Sequence, residues 1–121
     1  MRVAVFEDDA DDRRRLTAIL TSAGHEVEAF DKCEVDAVAD TLRRFRPEYA
    51  VVDAAMPALM DGIEVITGLM SEFPDIGVAV CSRYYNDPEQ RPRLTERYGS
   101  IPAVRRVVGK NPWPTSADLV D

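Results

Sequence analysis

Glu7-Asp8-Asp9, Asp53, Ser82 and Lys110 are the residues of this chain whose types and spacing could do chemistry together. The acidic triplet, Asp53 and Ser82 each follow a short apolar run directly, and Lys110 follows one after a glycine. Carboxylates gathered at neighbouring strand ends repel by roughly 4 kcal/mol per pair at 4 Å and an effective dielectric near 20, unless a cation binds between them. A few carboxylates with room for waters and a phosphate oxygen suit Mg²⁺, which rarely takes an all-protein cage. A lysine and a hydroxyl would then neutralise and orient the remaining phosphoryl oxygens. Taken singly these residues have plainer readings: Asp8, Asp9, Asp11 and Asp12 also complement the positive end of a helix, and Ser82 and Lys110 are each commonplace. The joint arrangement is what points to phosphoryl chemistry.

The elements that must position these groups alternate between apolar runs and stretches of helical period, the pattern of a parallel sheet covered on both faces by helices. Arg2 to Phe6 reads as a first strand. A helix from about Asp11 follows, with Leu16, Ile19, Leu20 and Ala23 on one face and Gly24 as its stop. Glu26 to Phe30 alternates as a half-covered edge strand does, and Val35, Val38, Leu42 and Phe45 mark a second helix ending at Pro47. Tyr49 to Val52 is a wholly apolar third strand. Ile66, Leu69, Met70 and Phe73 define a third helix ending before Pro74, and Ile76 to Cys81 is the fourth strand.

Asn86-Asp87-Pro88-x-Gln90 predicts a fourth helix with Asp87 as cap, although Pro92 argues for a late or bent start before Gly99 ends it. Val104 to Val108 is the fifth strand, and Thr115 to Asp121 leaves room for about two turns of a last helix. In such an open sheet a ligand sits at the carboxyl ends of the strands, near the switch in strand order, and there the acids, the hydroxyl and the ammonium converge.

Composition removes several classes. The chain has 121 residues, enough for a single domain spanning 1–121. Acidic residues outnumber basic ones 22 to 15, and a net charge of -7 opposes direct nucleic-acid binding. The apolar opening Val3 to Phe6 is too short for a signal peptide or a membrane span, which places the protein in the cytoplasm and off the membrane. Cys33 and Cys81 lack metal-ligand spacing and read as reduced, packed thiols, and His25, the one histidine, lies in a turn.

Phe6-Glu7-Asp8-Asp9, Val51-Val52-Asp53-x-x-Met56-Pro57 with Asp61-Gly62, and Gly24-His25-Glu26-Val27 resemble the receiver domains of two-component response regulators. The 44 residues from Asp9 to Asp53 match the usual separation, and the likeness runs from Met1 to about Lys110. The resemblance implies a flavodoxin-like, doubly wound α/β fold, with a five-stranded parallel sheet in the order 2-1-3-4-5 and a short last helix. It implies Asp53 as phosphoacceptor, and Mg²⁺ held by Asp9 and Asp53, by Asp8 through water, and by the backbone carbonyl of Ala55. Ser82 would bond the phosphoryl group and Lys110 would pair with it. A sensor histidine kinase or phosphotransfer protein would be the donor, an output partner or effector domain the recipient of the signal, and a homodimer stays open. The only catalysis implied is of the chain's own phosphorylation and dephosphorylation.

Several positions depart from that pattern. One extra residue separates Pro57 from Asp61, and Lys110-Asn111-Pro112 stands where the family has Lys-Pro. The 28-residue stretch from Ser82 to Lys110 is several residues longer than usual, and Val107 occupies the place of an aromatic switch; Tyr84 or Tyr85 could substitute for it, or are plain exposed loop residues. Arg83 puts a long cation at the site entrance, where the family has a small residue. These departures keep two other readings open: a degenerate receiver acting as a phosphorylation-independent interaction module, and a small Mg²⁺-dependent aspartyl-phosphate phosphatase, for which 121 residues leave little room.

Overall fold

The computed structural model describes residues 1–31, 35–54 and 62–120. Five strands, β1 (Arg2–Phe6), β2 (Glu26–Phe30), β3 (Tyr49–Val52), β4 (Gly77–Cys81) and β5 (Val104–Val108), pair in parallel in the order β2-β1-β3-β4-β5. This is the expected flavodoxin-like sheet. Its helices are α1 (Ala10–Ser22), α2 (Ala39–Phe45), α3 (Gly62–Glu72), α4 (Arg91–Gly99) and α5 (Ser116–Leu119), with 3-10 turns over Val35–Val38 and Arg83–Asn86.

The strand period of two divides the core. Val3, Val5, Tyr49, Val51, Ala79 and Cys81 face Leu16 and Leu20 of α1 and Leu119 of α5. Ala4, Phe6, Ala50, Val52, Val78 and Val80 face Leu42, Val65, Ile66, Leu69, Leu94 and Tyr98 of α2, α3 and α4. With both faces covered, β3 and β4 are buried at every residue, which is why their sequences are continuous apolar runs. At the edge, β2 exposes Glu26 and Glu28 and anchors itself by stacking Phe30 on Phe6 at 5.1 Å between ring centroids.

Local chemistry explains the element ends. α1 is followed by Gly24 at φ +92°, a left-handed conformation that glycine adopts at little cost. The second helical stretch divides into a 3-10 turn and seven residues of α2, closed by Arg46 in the left-handed region just before Pro47. The expected start of the fourth helix at Asp87 does not form. There the Asp87 carboxylate accepts the N–H of Glu89 at 2.9 Å, a local turn that competes with helix. Helix α4 begins instead at Arg91 with Pro92 in its first turn, where the missing N–H costs nothing. The last helix is a single turn, stabilised by a capping box between Thr115 and Asp118. Cys81 is buried as expected, and burial pushes its thiol up to about 12; Cys33 lies outside the described residues. No helix is long and apolar enough to cross a membrane among the described residues.

Candidate functional site

Among the described residues, the buried polar and charged side chains are Glu7, Asp12, Asp53, Ser82 and Lys110, all at the carboxyl end of the sheet. Burying such groups without partners costs several kcal/mol, so a cluster of them is retained only where they satisfy one another. The backbone brings them there by extending the strand pairing one residue past three strand ends. Glu7 N–H donates to Phe30 O, Asp53 N–H to Phe6 O and Ser82 N–H to Val108 O, each at 3.0 Å.

Lys110 is the hub. Its Nζ donates to Glu7 Oε2 at 2.7 Å, to Asp12 Oδ2 at 3.0 Å and to Asp53 Oδ2 at 3.4 Å. Its backbone is held as well, because the Asn86 side-chain oxygen accepts the N–H of both Lys110 and Asn111, at 2.9 and 3.0 Å. The Asn86 amide donates back to Asn111 O at 2.6 Å. The bond between Asn111 and Pro112 is cis. Burial alone would lower the Lys110 pKa, but the charges of Asp53 and Glu7 outweigh it and hold the ammonium above its ordinary value.

Glu7, Asp8 and Asp53 each bring a carboxylate oxygen to within 4.8 Å of the others. At that spacing ionised pairs repel by roughly 3–4 kcal/mol for an effective dielectric near 20. Burial first, and the charge of Asp53 second, push the Glu7 carboxyl up to about 8. The oxygen donors are hard and their charge is uncompensated by Lys110 alone, so the group fits a divalent cation such as Mg²⁺. The ligand set expected from the sequence was Asp8, Asp9 and Asp53. Glu7 stands inside where Asp9 was expected, and Asp9 is exposed, its Oδ1 accepting the N–H of Asp12 at 2.9 Å as the N-cap of α1. That bond holds the Asp9 carboxyl below the usual carboxylate range. Ala55 lies outside the described residues, as do Met56, Pro57 and Asp61.

Ser82 is fully buried at the end of β4, where its Oγ accepts the N–H of Tyr84 at 3.2 Å. Arg83 stays beside the acids: its guanidinium donates to both oxygens of Asp12, at 2.8 and 3.0 Å, and with Glu7, Asp8, Asp9, Asp12, Asp53, Tyr84 and Lys110 it lines a cavity of about 220 Å³. Val107 is half-buried against the core, Tyr85 packs against the same cluster, and Tyr84 is exposed. Another aromatic reaches the site from α4, since the Tyr98 hydroxyl donates to Ala54 O at 3.3 Å.

Sequence reasoning gave Asp12 and Asn86 only local roles, at a helix end and a helix start, and passed over Tyr98 and Trp113. The ring of Trp113 lies 5.8 Å from Lys110 Nζ and 5.9 Å from the Arg83 guanidinium carbon. Asp12 carried a signal in standing three residues after the cap, on the inward face of α1; the other three depend on contacts between distant segments.

Comparison with known proteins agrees with this geometry. A family model described as the response regulator receiver domain matches residues 3–97. The chain is 33% identical over 81 residues to a chemotaxis protein, CheY, from Thermotoga maritima, covering 67% of this chain and 66% of that protein. It is 40% identical over 82 residues to a protein-glutamate methylesterase/protein-glutamine glutaminase from Anaeromyxobacter dehalogenans, covering 67% of this chain but only 22% of the longer protein. In fold it superposes on RcsB from Salmonella enterica, bound to a promoter in the presence of phosphomimetic BeF3-, with a TM-score of 0.75 at 20% identity, over 97% of this chain and 63% of that one. It also superposes on the response regulator TrrA from Thermotoga maritima in complex with Mg(2+)-BeF, with a TM-score of 0.63 at 20% identity, over 89% and 84% of the two chains. A parallel sheet in the order 2-1-3-4-5, an acidic pocket at its carboxyl end and a family match over most of its length together make this chain a member of the response regulator receiver domain family.

Proposed function

We propose that residues 1–121 act as one cytoplasmic receiver domain that takes a phosphoryl group onto Asp53 and thereby switches a protein–protein interaction. The observation that carries this reading is the Asp53 carboxylate lining an acidic cavity, within reach of a buried ammonium. The donor is a phosphoramidate, presented as phosphohistidine by a sensor kinase or a phosphotransfer protein. An Asp53 oxygen attacks phosphorus, the P–N bond breaks, and the imidazole nitrogen regains a proton from solvent. In the return step water attacks phosphorus and the P–O bond to Asp53 breaks, which restores the carboxylate and releases inorganic phosphate.

Glu7, Asp8 and Asp53 would hold Mg²⁺, which when bound neutralises charge on the transferring phosphoryl group. Lys110 donates to an oxygen of that group from the same side as it now donates to Asp53. Ser82, buried at the end of β4 beside the cavity-lining Arg83, accepts the Tyr84 N–H, which leaves its own hydroxyl proton to be donated to a phosphoryl oxygen. The chain catalyses only this modification and its reversal, and an output partner or effector domain reads the result.

A second reading, a phosphorylation-independent interaction module, draws support from the two short bonds that already occupy Lys110. Incubation with phosphoramidate and Mg²⁺ separates the two. A mass increase of one phosphoryl group, mapped to Asp53 and absent in Asp53→Asn, supports the switch. An unmodified wild-type chain supports the module.

A further inference from the structure

Asp12 takes no part in the reaction just described, yet this buried acid touches both Lys110 and Arg83, the cations that line the cavity among the described residues. Its side chain is 9% exposed; Oδ2 accepts from Lys110 at 3.0 Å, and both of its oxygens accept from Arg83. It cannot drift, because its own N–H is tied to the Asp9 carboxylate in the first turn of α1.

The geometry of an ammonium gives this contact its meaning. Nζ has three hydrogens in a fixed tetrahedral arrangement. Two are held on the shorter bonds, to Glu7 and Asp12, and the third points toward Asp53 on the longest bond, 3.4 Å. With Glu7 alone the ammonium would keep a rotational freedom about that single bond, and its third hydrogen would sweep an arc. Two acceptors remove the freedom. We propose, resting on the phosphoacceptor reading of Asp53, that Asp12 is a positioning residue for phosphoryl transfer: it aims Lys110 at the Asp53 carboxylate and docks Arg83 on the cavity wall.

Aim matters here because a donor preorganised toward developing charge contributes far more than one that must first reorient. Asp12 also places a negative charge beside the path of an anionic donor, so the same residue opposes donor binding. The two effects act on different kinetic constants. Loss of aim lowers the maximal labelling rate, whereas loss of the charge lowers, or leaves unchanged, the donor concentration at half saturation. A residue needed only for folding would reduce the fraction of labelled protein and move neither constant in this way.

The test is the rate of Asp53 labelling by phosphoramidate in Mg²⁺, followed by mass spectrometry across donor concentrations. Asp12→Ala should lower the maximal rate about tenfold, and the isosteric Asp12→Asn, which keeps one acceptor, about threefold, with no rise in half-saturating donor. The same loss should appear on an Arg83→Ala background, which removes any contribution from the released guanidinium. In the Mg²⁺-free, unlabelled protein, Asp12→Ala should shift the emission of Trp113, the single tryptophan, because both cations rest near its ring. A wild-type maximal rate in Asp12→Asn overturns the proposal, and so does a loss confined to the labelled fraction. If the wild-type chain itself takes up no phosphoryl group, the phosphoacceptor reading fails first and the proposal with it.

Discussion

Lys110 stands closer to Glu7, at 2.7 Å, than to Asp53, at 3.4 Å, so the first acid of the triplet, and not the third, shares the buried charge of the site. This divides three consecutive acids into two roles. Replacing Asp9 by alanine should remove a helix cap and cost about 1 kcal/mol of stability while leaving the response to Mg²⁺ intact. Replacing Asp8 by asparagine, or Glu7 by glutamine above about pH 8 where its carboxyl is ionised, should raise the metal-free melting temperature, and each should abolish the rise seen in wild type with millimolar Mg²⁺. Calorimetric melts with Mg²⁺ and with chelator check this; a Mg²⁺ response lost in Asp9→Ala and kept in Glu7→Gln would reverse the assignment.

Glu7 also sets a pH dependence. Its carboxyl is pushed from 4.5 up to about 8, so between those values the native state holds a proton that the unfolded chain has lost. Stability from this group is therefore complete below about pH 4.5 and is lost as the pH rises through 8. Lys110, raised above its ordinary value, titrates outside this window. Urea melts in chelator should show wild type losing on the order of 2–4 kcal/mol relative to Glu7→Gln between pH 5 and pH 8. Parallel profiles for the two proteins would show that Glu7 is ionised throughout. Because binding must displace that proton, Mg²⁺ affinity should rise over the upper half of the window.

Arg83 is exposed over 64% of its side chain yet bonded to a buried acid of the site, which holds it at the cavity wall and not out among surface carboxylates. Attraction of a donor phosphate by so exposed a cation is screened and worth ~1 kcal/mol at most, whereas obstructing in-line approach costs more. Arg83→Ala should be labelled severalfold faster by a small donor and should lose its phosphoryl group sooner. Slower labelling would assign Arg83 to anion recruitment instead.

Gly62 opens α3 beneath Asp53. A Cβ there would lie 2.8 Å from Tyr98 Oη, 3.1 Å from Ala54 Cα and 3.2 Å from Asp53 O. Alanine normally gains about 0.5–1 kcal/mol over glycine inside a helix. Two of these three neighbours are backbone atoms that cannot swing aside, so overpacking should win and Gly62→Ala should lose about 1–3 kcal/mol. Tyr98→Phe, which removes the nearest atom, should recover part of it; a Gly62→Ala protein as stable as wild type would show that the loop around Ala54 yields.

Much of this was legible from residue order. The apolar runs of β3 and β4 announced strands buried on both faces, the alternation of β2 announced an edge, and Asp53 and Ser82 stand where their strands emerge. The acid that turns inward was not legible, because it depends on where pairing stops: Glu7 still bonds to Phe30 and continues the strand's pairing, whereas Asp9 already caps α1. The cap at Asp87 did not start α4, because a turn there uses the same residue types as a helix cap, whereas the late start that Pro92 argued for is the one that forms. The role of Asn86 at the site was not legible for another reason. It clamps residues 24 and 25 positions away, and nothing in its neighbourhood along the chain marks that.

The pairing of both cavity cations with internal acids has a consequence beyond the site. Among the described residues, Lys110 and Arg83 are the two positive groups lining the cavity, and each is matched by carboxylates only a few ångströms away. To a molecule approaching from a Debye length, about 8–10 Å at physiological ionic strength, they contribute little field, and what remains is the excess of acid on a chain of net charge -7. A small anionic donor thus climbs a repulsive potential to reach Asp53, while a partner presenting a basic face descends one. Added salt flattens both slopes, hastening the encounter with the first and slowing the encounter with the second. Under the proposed function, such a field favours a donor presented on a basic protein face over a small anion taken from solution.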